Sequence, residues 1–253
     1  MFTRTESFKD FLRFYPVTSV IVGLQIGIWL ISILFEPIGD YIYYYGTGMH
    51  YFILQGEYWR LLTSIFLHAG VGHIFFNSFS LILFAPALEQ MLGKVKFIFS
   101  YLFAGVLANV LTLFAITQLT FNHAGGSGAI YGLFGLYLFM VLFEKKLIDQ
   151  GSAKLITIII IIGLVMTFIN ANINIAGHLF GFISGFALGP VVLRNVKPFS
   201  PYRNVRKPRA DGEIGFDPNR WNKKRYRYKK FIAPVITVIF IILVILGIVS
   251  SFF

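Results

Sequence analysis

The stretch Gly125-Gly126-Ser127-Gly128-Ala129-Ile130-Tyr131-Gly132-Leu133-Phe134-Gly135 opens an uncharged run that continues to Phe143. Its apolar residues follow one another without the polar alternation of a half-buried strand, so it reads as a helix in an apolar environment. A second such run opens at Ala176-Gly177-His178-Leu179-Phe180-Gly181. Polar and ionisable side chains inside apolar helices are costly, which makes Ser127 and His178 functional candidates by default. A serine with one histidine in reach is also the minimum apparatus for nucleophilic chemistry.

The rest of the chain has the same character. Of its 253 residues 57% are hydrophobic and 13% charged, with a mean hydropathy of +0.73. Apolar runs of about 20 residues match a hydrocarbon core about 30 Å thick. Seven are expected, at 16–35, 69–88, 95–116, 126–143, 153–171, 174–193 and 231–252, the fourth being short. The fold class is therefore all-α, a polytopic membrane helix bundle, and a barrel of alternating strands is excluded. With no cysteine, disulfides, thiolate metal sites and a cysteine nucleophile are excluded too. The first run is followed by Phe35-Glu36-Pro37-Ile38 rather than a small-x-small cleavage pattern, and reads as a retained signal-anchor helix.

The net charge of +11 does not indicate nucleic acid. With the N-terminus in the cytoplasm, Arg4, Lys9, Arg13, Lys94, Lys96, Lys145, Lys146 and Lys154 fall inside, as does the whole basic segment from Arg194 to Lys230. Only Arg60 falls outside, which is the asymmetry expected of a membrane protein and places the C-terminus outside. The domain reading is a six-helix core over 1–193, a Pro-containing cytoplasmic loop over 194–230, and an additional transmembrane helix in 231–253. The basic loop is suited to anionic lipid headgroups.

This topology gives depths at about 1.5 Å per residue. Ser127, counted up from Glu144, and His178, counted up from Arg194, both lie roughly 25 Å above the inner helix ends, on helices that run in parallel. Gly177, Gly181, Gly185 and Gly189 recur at every fourth position, and Gly128, Gly132 and Gly135 sit one turn apart. Small residues so spaced let helix backbones approach closely in a membrane. On the second long run, His73 and Asn77 are four apart and share a helix face at about the same depth. They are candidate oxyanion donors, together with the Ser127 amide at its helix N-terminus. His68 and His73 lack a metal-binding pattern, and no metal or cofactor is expected.

These residues resemble the rhomboid family of intramembrane serine proteases. The likeness runs over roughly 15–193 and rests on ordered motifs: G-x-S-G at Gly125, Ser127 and Gly128; H-x-x-x-N at His73 and Asn77; and a histidine with spaced glycines at His178, Gly181 and Gly185. Trp59-Arg60, preceded by Glu57, and Glu89 with Gly93 complete it. The resemblance implies a Ser127–His178 dyad without an acidic third member, oxyanion support from His73 and Asn77, and Tyr131 packed against the His178 ring. It implies membrane-anchored protein substrates, and a loop over Glu36–Leu67 that lies partly in the membrane and is held by Arg60. The competing reading is a rhomboid-like protein that binds or escorts membrane clients without cutting them. A transporter fits less well, because its polar residues belong at the midplane of two related halves.

The aromatic loop reads as an interfacial belt. His50 and His123 are expected to be exposed loop residues; His68 has two readings, a part in the site or a place that only borders its water-filled entry. Asn109, Asn170, Asn172 and Asn174 are expected to cap turns or bond neighbouring helices.

Overall fold

A computed structural model describes residues 1–2, 5–169, 173–201 and 203. The segment 231–252 and most of the basic loop 194–230 lie outside the described residues, as do Asn170 and Asn172. Among the described residues the fold is all-helical, with no strand.

A short helix α1 (Phe8–Phe14), capped by the Ser7 hydroxyl on the Asp10 amide, leads into α2 (Pro16–Leu34). Proline at the first position of α2 removes an amide that would have no intrahelical acceptor. The amides of Val17 and Thr18 are met from elsewhere: the Glu89 carboxylate accepts from both, at 2.9 and 2.8 Å, and from the Thr18 hydroxyl at 2.7 Å. Glu89 lies near the end of α6 (Val71–Leu92), which stops at Gly93, whose φ of +76° favours glycine.

Between α2 and α6 the chain is more regular than a loop. It forms α3 (Glu36–Gly46), α4 (His50–Leu54), α5 (Arg60–Thr63) and a 3-10 turn at Ser64–Phe66. Arg60 organises this excursion from a fully buried position. It donates through Nη1 to the carbonyls of Tyr44 (2.7 Å) and Thr47 (3.0 Å), and through Nε to Glu57 (2.7 Å). Its guanidinium stands 4.6 Å over the Phe52 ring. Trp59 adds an indole N–H to the Tyr45 carbonyl at 3.2 Å. Aromatic spacing hid three short helices, which with the turn before α5 alternate between this interior and an exposed fringe of Tyr41, Tyr44, Tyr51, Tyr58 and Trp59.

Then follow α7 (Lys94–Ala115), α8 (Ser127–Phe143), α9 (Gln150–Ile169) and α10 (Ile175–Val192). Helices α2, α6, α7, α9 and α10 are long and apolar enough to cross a membrane; α8 is shorter, at 17 residues or roughly 26 Å. The helix starts follow local caps. Asp149 accepts from the Ser152 amide at 2.9 Å and brings the start of α9 forward to Gln150, and Asn174 accepts from the Gly177 amide at 2.9 Å.

The short helix is the central one. Ala129 to Tyr137 are buried without interruption, with α6, α7, α9 and α10 around them. The α8–α10 seam is backbone against backbone. A Cβ added at Gly181 would strike the Gly128 carbonyl oxygen, one at Gly185 the Gly132 carbonyl oxygen, and one at Gly135 the backbone of Phe182. At the far end of α8 from Ser127, Phe2 packs edge-on against Phe84 (5.2 Å) and Tyr137 (5.3 Å). Helix α9 is the opposite case, turning Ile158, Ile161, Ile162, Val165 and Met166 outward.

Candidate active site

Ser127 is the first residue of α8. The preceding turn aims it: Gly126 is the N-cap, and Gly125 adopts φ +144°, a conformation that a side chain resists. The Gly125 amide donates to the Ser64 carbonyl at 2.9 Å, tying the turn to the end of the Arg60 excursion. Gly126 fits among Gln25 Nε2, the Tyr101 hydroxyl and the Ile65 carbonyl, where a Cβ would lie 2.7, 2.8 and 3.1 Å away. Gln25 itself donates to Ile65 O (3.2 Å) and Tyr101 (3.1 Å). The start of a helix presents unpaired N–H groups and a partial positive charge, here beside Ser127 Oγ.

Gly125 is also bordered by both His73 and the serine. A Cβ there would lie 2.6 Å from Cε1 and Nε2 of His73 and 3.7 Å from Ser127 Oγ. Asn77 is placed differently. Its Nδ2 donates back to the His73 carbonyl at 2.9 Å, so one of its two amide hydrogens is engaged within α6 and Oδ1 is buried unpaired.

His178 is buried and stacks on Tyr131, with centroids 4.1 Å apart and planes 17° from parallel. Its Nδ1 lies 2.9 Å from the Thr167 hydroxyl. No hydrogen bond joins Ser127 to His178 among the described residues. Their neighbours do touch: a Cβ on Gly128 would be 3.3 Å from the Gly177 carbonyl oxygen. Catalytic hydrogen bonds are often long in unliganded sites and tighten with substrate.

The loop histidines are not exposed. His50 is 1% and His123 9% accessible. Segments 48–51 and 119–123 bond to each other through Gly48 N to His123 O (2.8 Å), His50 N to Phe121 O (3.0 Å) and Tyr51 N to Leu119 O (3.0 Å). His50 Nδ1 lies 3.0 Å from the Ile116 carbonyl, and the two imidazoles are 6.0 Å apart. Burial, and then the charge of His50, pushes His123 down to about 4; burial also lowers His50. His68 is wholly buried rather than at a wet rim, its ring 5.0 Å from that of His73. Burial, then the neighbouring His73, lowers it to about 3. Asn109 donates to the Leu61 carbonyl (2.8 Å) and the Ser64 hydroxyl (3.1 Å), bonding its neighbours as expected. Among the described residues no three His, Asp or Glu side chains converge as a metal site.

Sequence reasoning missed Gln25 and Thr167. Gln25 carried the same signal as His178, a polar side chain in an apolar helix. Thr167 carried none, since threonine routinely bonds its own helix in a membrane.

The fold thus defines a multi-pass helical membrane protein with polar side chains gathered at the start of its central helix. The chain matches the Rhomboid domain family over residues 55–195 and belongs to that family. It is 47% identical over 190 residues to YdcA of Bacillus subtilis (strain 168), provisionally named a rhomboid protease, covering 74% of this chain and 94% of that one. It is 38% identical over 142 residues to the rhomboid protease GluP of the same organism, covering 56% of this chain and 27% of that one. RHOMBOID-like protein 1 of Arabidopsis thaliana is 35% identical over 190 residues, covering 72% of this chain and 46% of that one.

Proposed function

We propose that this protein is an intramembrane serine endopeptidase that cuts membrane-anchored proteins in or near their transmembrane segments. Ser127 Oγ attacks the scissile carbonyl while His178 Nε2 takes its proton. The tetrahedral oxyanion is held by the Ser127 amide, by His73 and by the second N–H of Asn77. As the C–N bond breaks, His178 returns the proton to the departing amine. Water, activated by the same imidazole, then releases the acyl group and restores the serine. Peptide hydrolysis needs an extended segment, so substrates are helices that unwind readily near the Ser127 level.

The observation that carries this reading is the setting of Ser127. It starts a buried helix whose glycine seam holds it against the helix of His178, with His73 across Gly125. The topology proposed with it has α2, α6, α7, α8, α9 and α10 spanning the bilayer and the N-terminus in the cytoplasm. An additional helix in 231–253, outside the described residues, then ends outside.

Labelling of the detergent-solubilised protein with a fluorophosphonate tests the proposal. Wild type should be labelled, while Ser127→Ala and His178→Ala, folded by thermal melt, should not. Labelling retained in Ser127→Ala removes the nucleophile assignment. A folded wild type that does not label supports the client-binding alternative.

A further inference from the structure

We infer that Thr167 is the positioning residue for the His178 imidazole, a neutral hydroxyl in the place where a triad has a carboxylate. The inference rests on the protease reading above and assigns a role to a residue on α9, outside both the glycine seam and the oxyanion cluster.

The argument is a count of protons around one carbonyl. Gly163 O accepts from the Tyr131 hydroxyl at 2.7 Å and from the Thr167 hydroxyl at 2.8 Å. The Thr167 oxygen is also 2.9 Å from the Tyr131 hydroxyl and 2.9 Å from His178 Nδ1. Thr167 has one proton and two lone pairs. If its proton goes to Gly163 O, its lone pairs remain for His178 Nδ1–H and, where Tyr131 turns toward it, for that hydroxyl. Every polar atom in the group is then satisfied, and His178 Nε2 is left bare to take the proton of Ser127. If the Thr167 proton instead goes to Nδ1, the imidazole must carry its hydrogen on Nε2 and cannot act as a base. In the first state the Thr167 hydroxyl keeps its bond to the carbonyl four residues back, the usual back-bond of a helical threonine, and shares that carbonyl with the helix amide and the Tyr131 hydroxyl; this is the state the proposal assigns. In this assignment the partner on α9 sets which nitrogen holds the proton.

The local sequence is shaped for this contact. A Cβ on Gly163 would come 3.0 Å from the Tyr131 hydroxyl, so glycine admits that group to the carbonyl. Thr167 is fully buried on a helix that is otherwise largely exposed. The stacked Tyr131 ring fixes the tilt of the imidazole and Thr167 fixes its rotation, so the two constraints are complementary. When Ser127 attacks, its proton passes to Nε2 and the imidazolium keeps its Nδ1–H bond to Thr167. The hydroxyl supplies a dipole and takes no proton itself.

The test compares Thr167→Val, which keeps the shape and removes the hydroxyl, with Thr167→Ser, which keeps the hydroxyl. A fluorophosphonate is the probe: the Ser127 oxygen bonds to phosphorus, fluoride leaves, and His178 accepts the serine proton. Thr167→Val should lower the limiting labelling rate about tenfold, in line with one hydrogen bond, with the inhibitor's half-saturation concentration and the thermal midpoint in detergent near wild type. Thr167→Ser should restore most of the rate. A Val variant that labels at the wild-type rate overturns the assignment. So does a Ser variant as slow as Val, which would assign the effect to packing of the methyl group. Absence of Ser127-dependent labelling in folded wild type overturns the protease reading itself, and this proposal with it.

Discussion

Helices α10 and α9 both reach His178, but they are built in opposite ways. Helix α10 carries the imidazole and is set into α8 by glycine so closely that no methyl group fits between their backbones. Helix α9 presents a row of isoleucines outward and meets the site through Thr167, with the Gly163 carbonyl beside it. Membranes lack a hydrophobic force between helices, so association rests on close packing and hydrogen bonds. One helix uses the first and the other the second. The seam fixes the position of the imidazole; in the proposed role, the hydroxyl fixes its orientation.

The contrast can be broken most severely at the seam. Gly185→Ala places a methyl group against the Gly132 carbonyl, a backbone atom that cannot swing aside. A loss of about 3 kcal/mol or more is expected, at the upper end of overpacking, measurable as a lower thermal midpoint in detergent. An unchanged midpoint would mean that the seam can open at little cost.

Acid should act next, through two paired segments, the second of which leads into the serine turn. His123 is held at about 4, below its ordinary value near 6.5, because burial and the charge of His50 oppose protonation. The unfolded chain therefore binds the proton first. Stability from this group is complete above pH 6.5 and declines as pH falls from there toward 4. The full effect is on the order of 3 kcal/mol. Melts of wild type and His123→Phe between pH 7 and pH 4 should converge if this group is responsible. Parallel curves would assign acid sensitivity elsewhere.

The smallest effect belongs to the outward face of α9. Ile162 is 55% accessible in a helix that would face lipid. Ile162→Ala should change the thermal midpoint by no more than about 0.5 kcal/mol implies. A large loss would show that this face is covered in the native membrane protein.

Much of this contrast could be read from the residues alone. The α8–α10 seam was legible because glycine at every fourth position has one geometric meaning in an apolar helix. Ser127, His178 and His73 were legible because each is out of place in hydrocarbon. Helix ends were less so: the start of α9 depends on Asp149 and the end of α6 extends past Glu89, both short-range details that hydropathy ignores. The burial of His50 and His123 was misread because it arises from two segments some 70 residues apart, joined through backbone groups that have no sequence signature. Asn77 was expected on the His73 face of its helix, but a position on a face does not settle whether an amide points across the site or back along its own helix, as its Nδ2 does here. Thr167 was invisible for a similar reason, since its contact with Nδ1 exists only once α9 and α10 have met.

The Glu89 carboxylate carries a consequence for the order in which the molecule is put together. It is 3% accessible, and its hydrogen bonds come from Val17 and Thr18 at the start of α2. A carboxylate buried without such donors is strongly unfavourable. The buried end of α6 thus depends on α2 for its partners, and α2 precedes it in the chain. Helices α2 and α6, joined by these hydrogen bonds, are both complete on the growing chain before α7 to α10 follow. The chain acquires a docking platform before the serine, or either of the helices that serve His178, has been made.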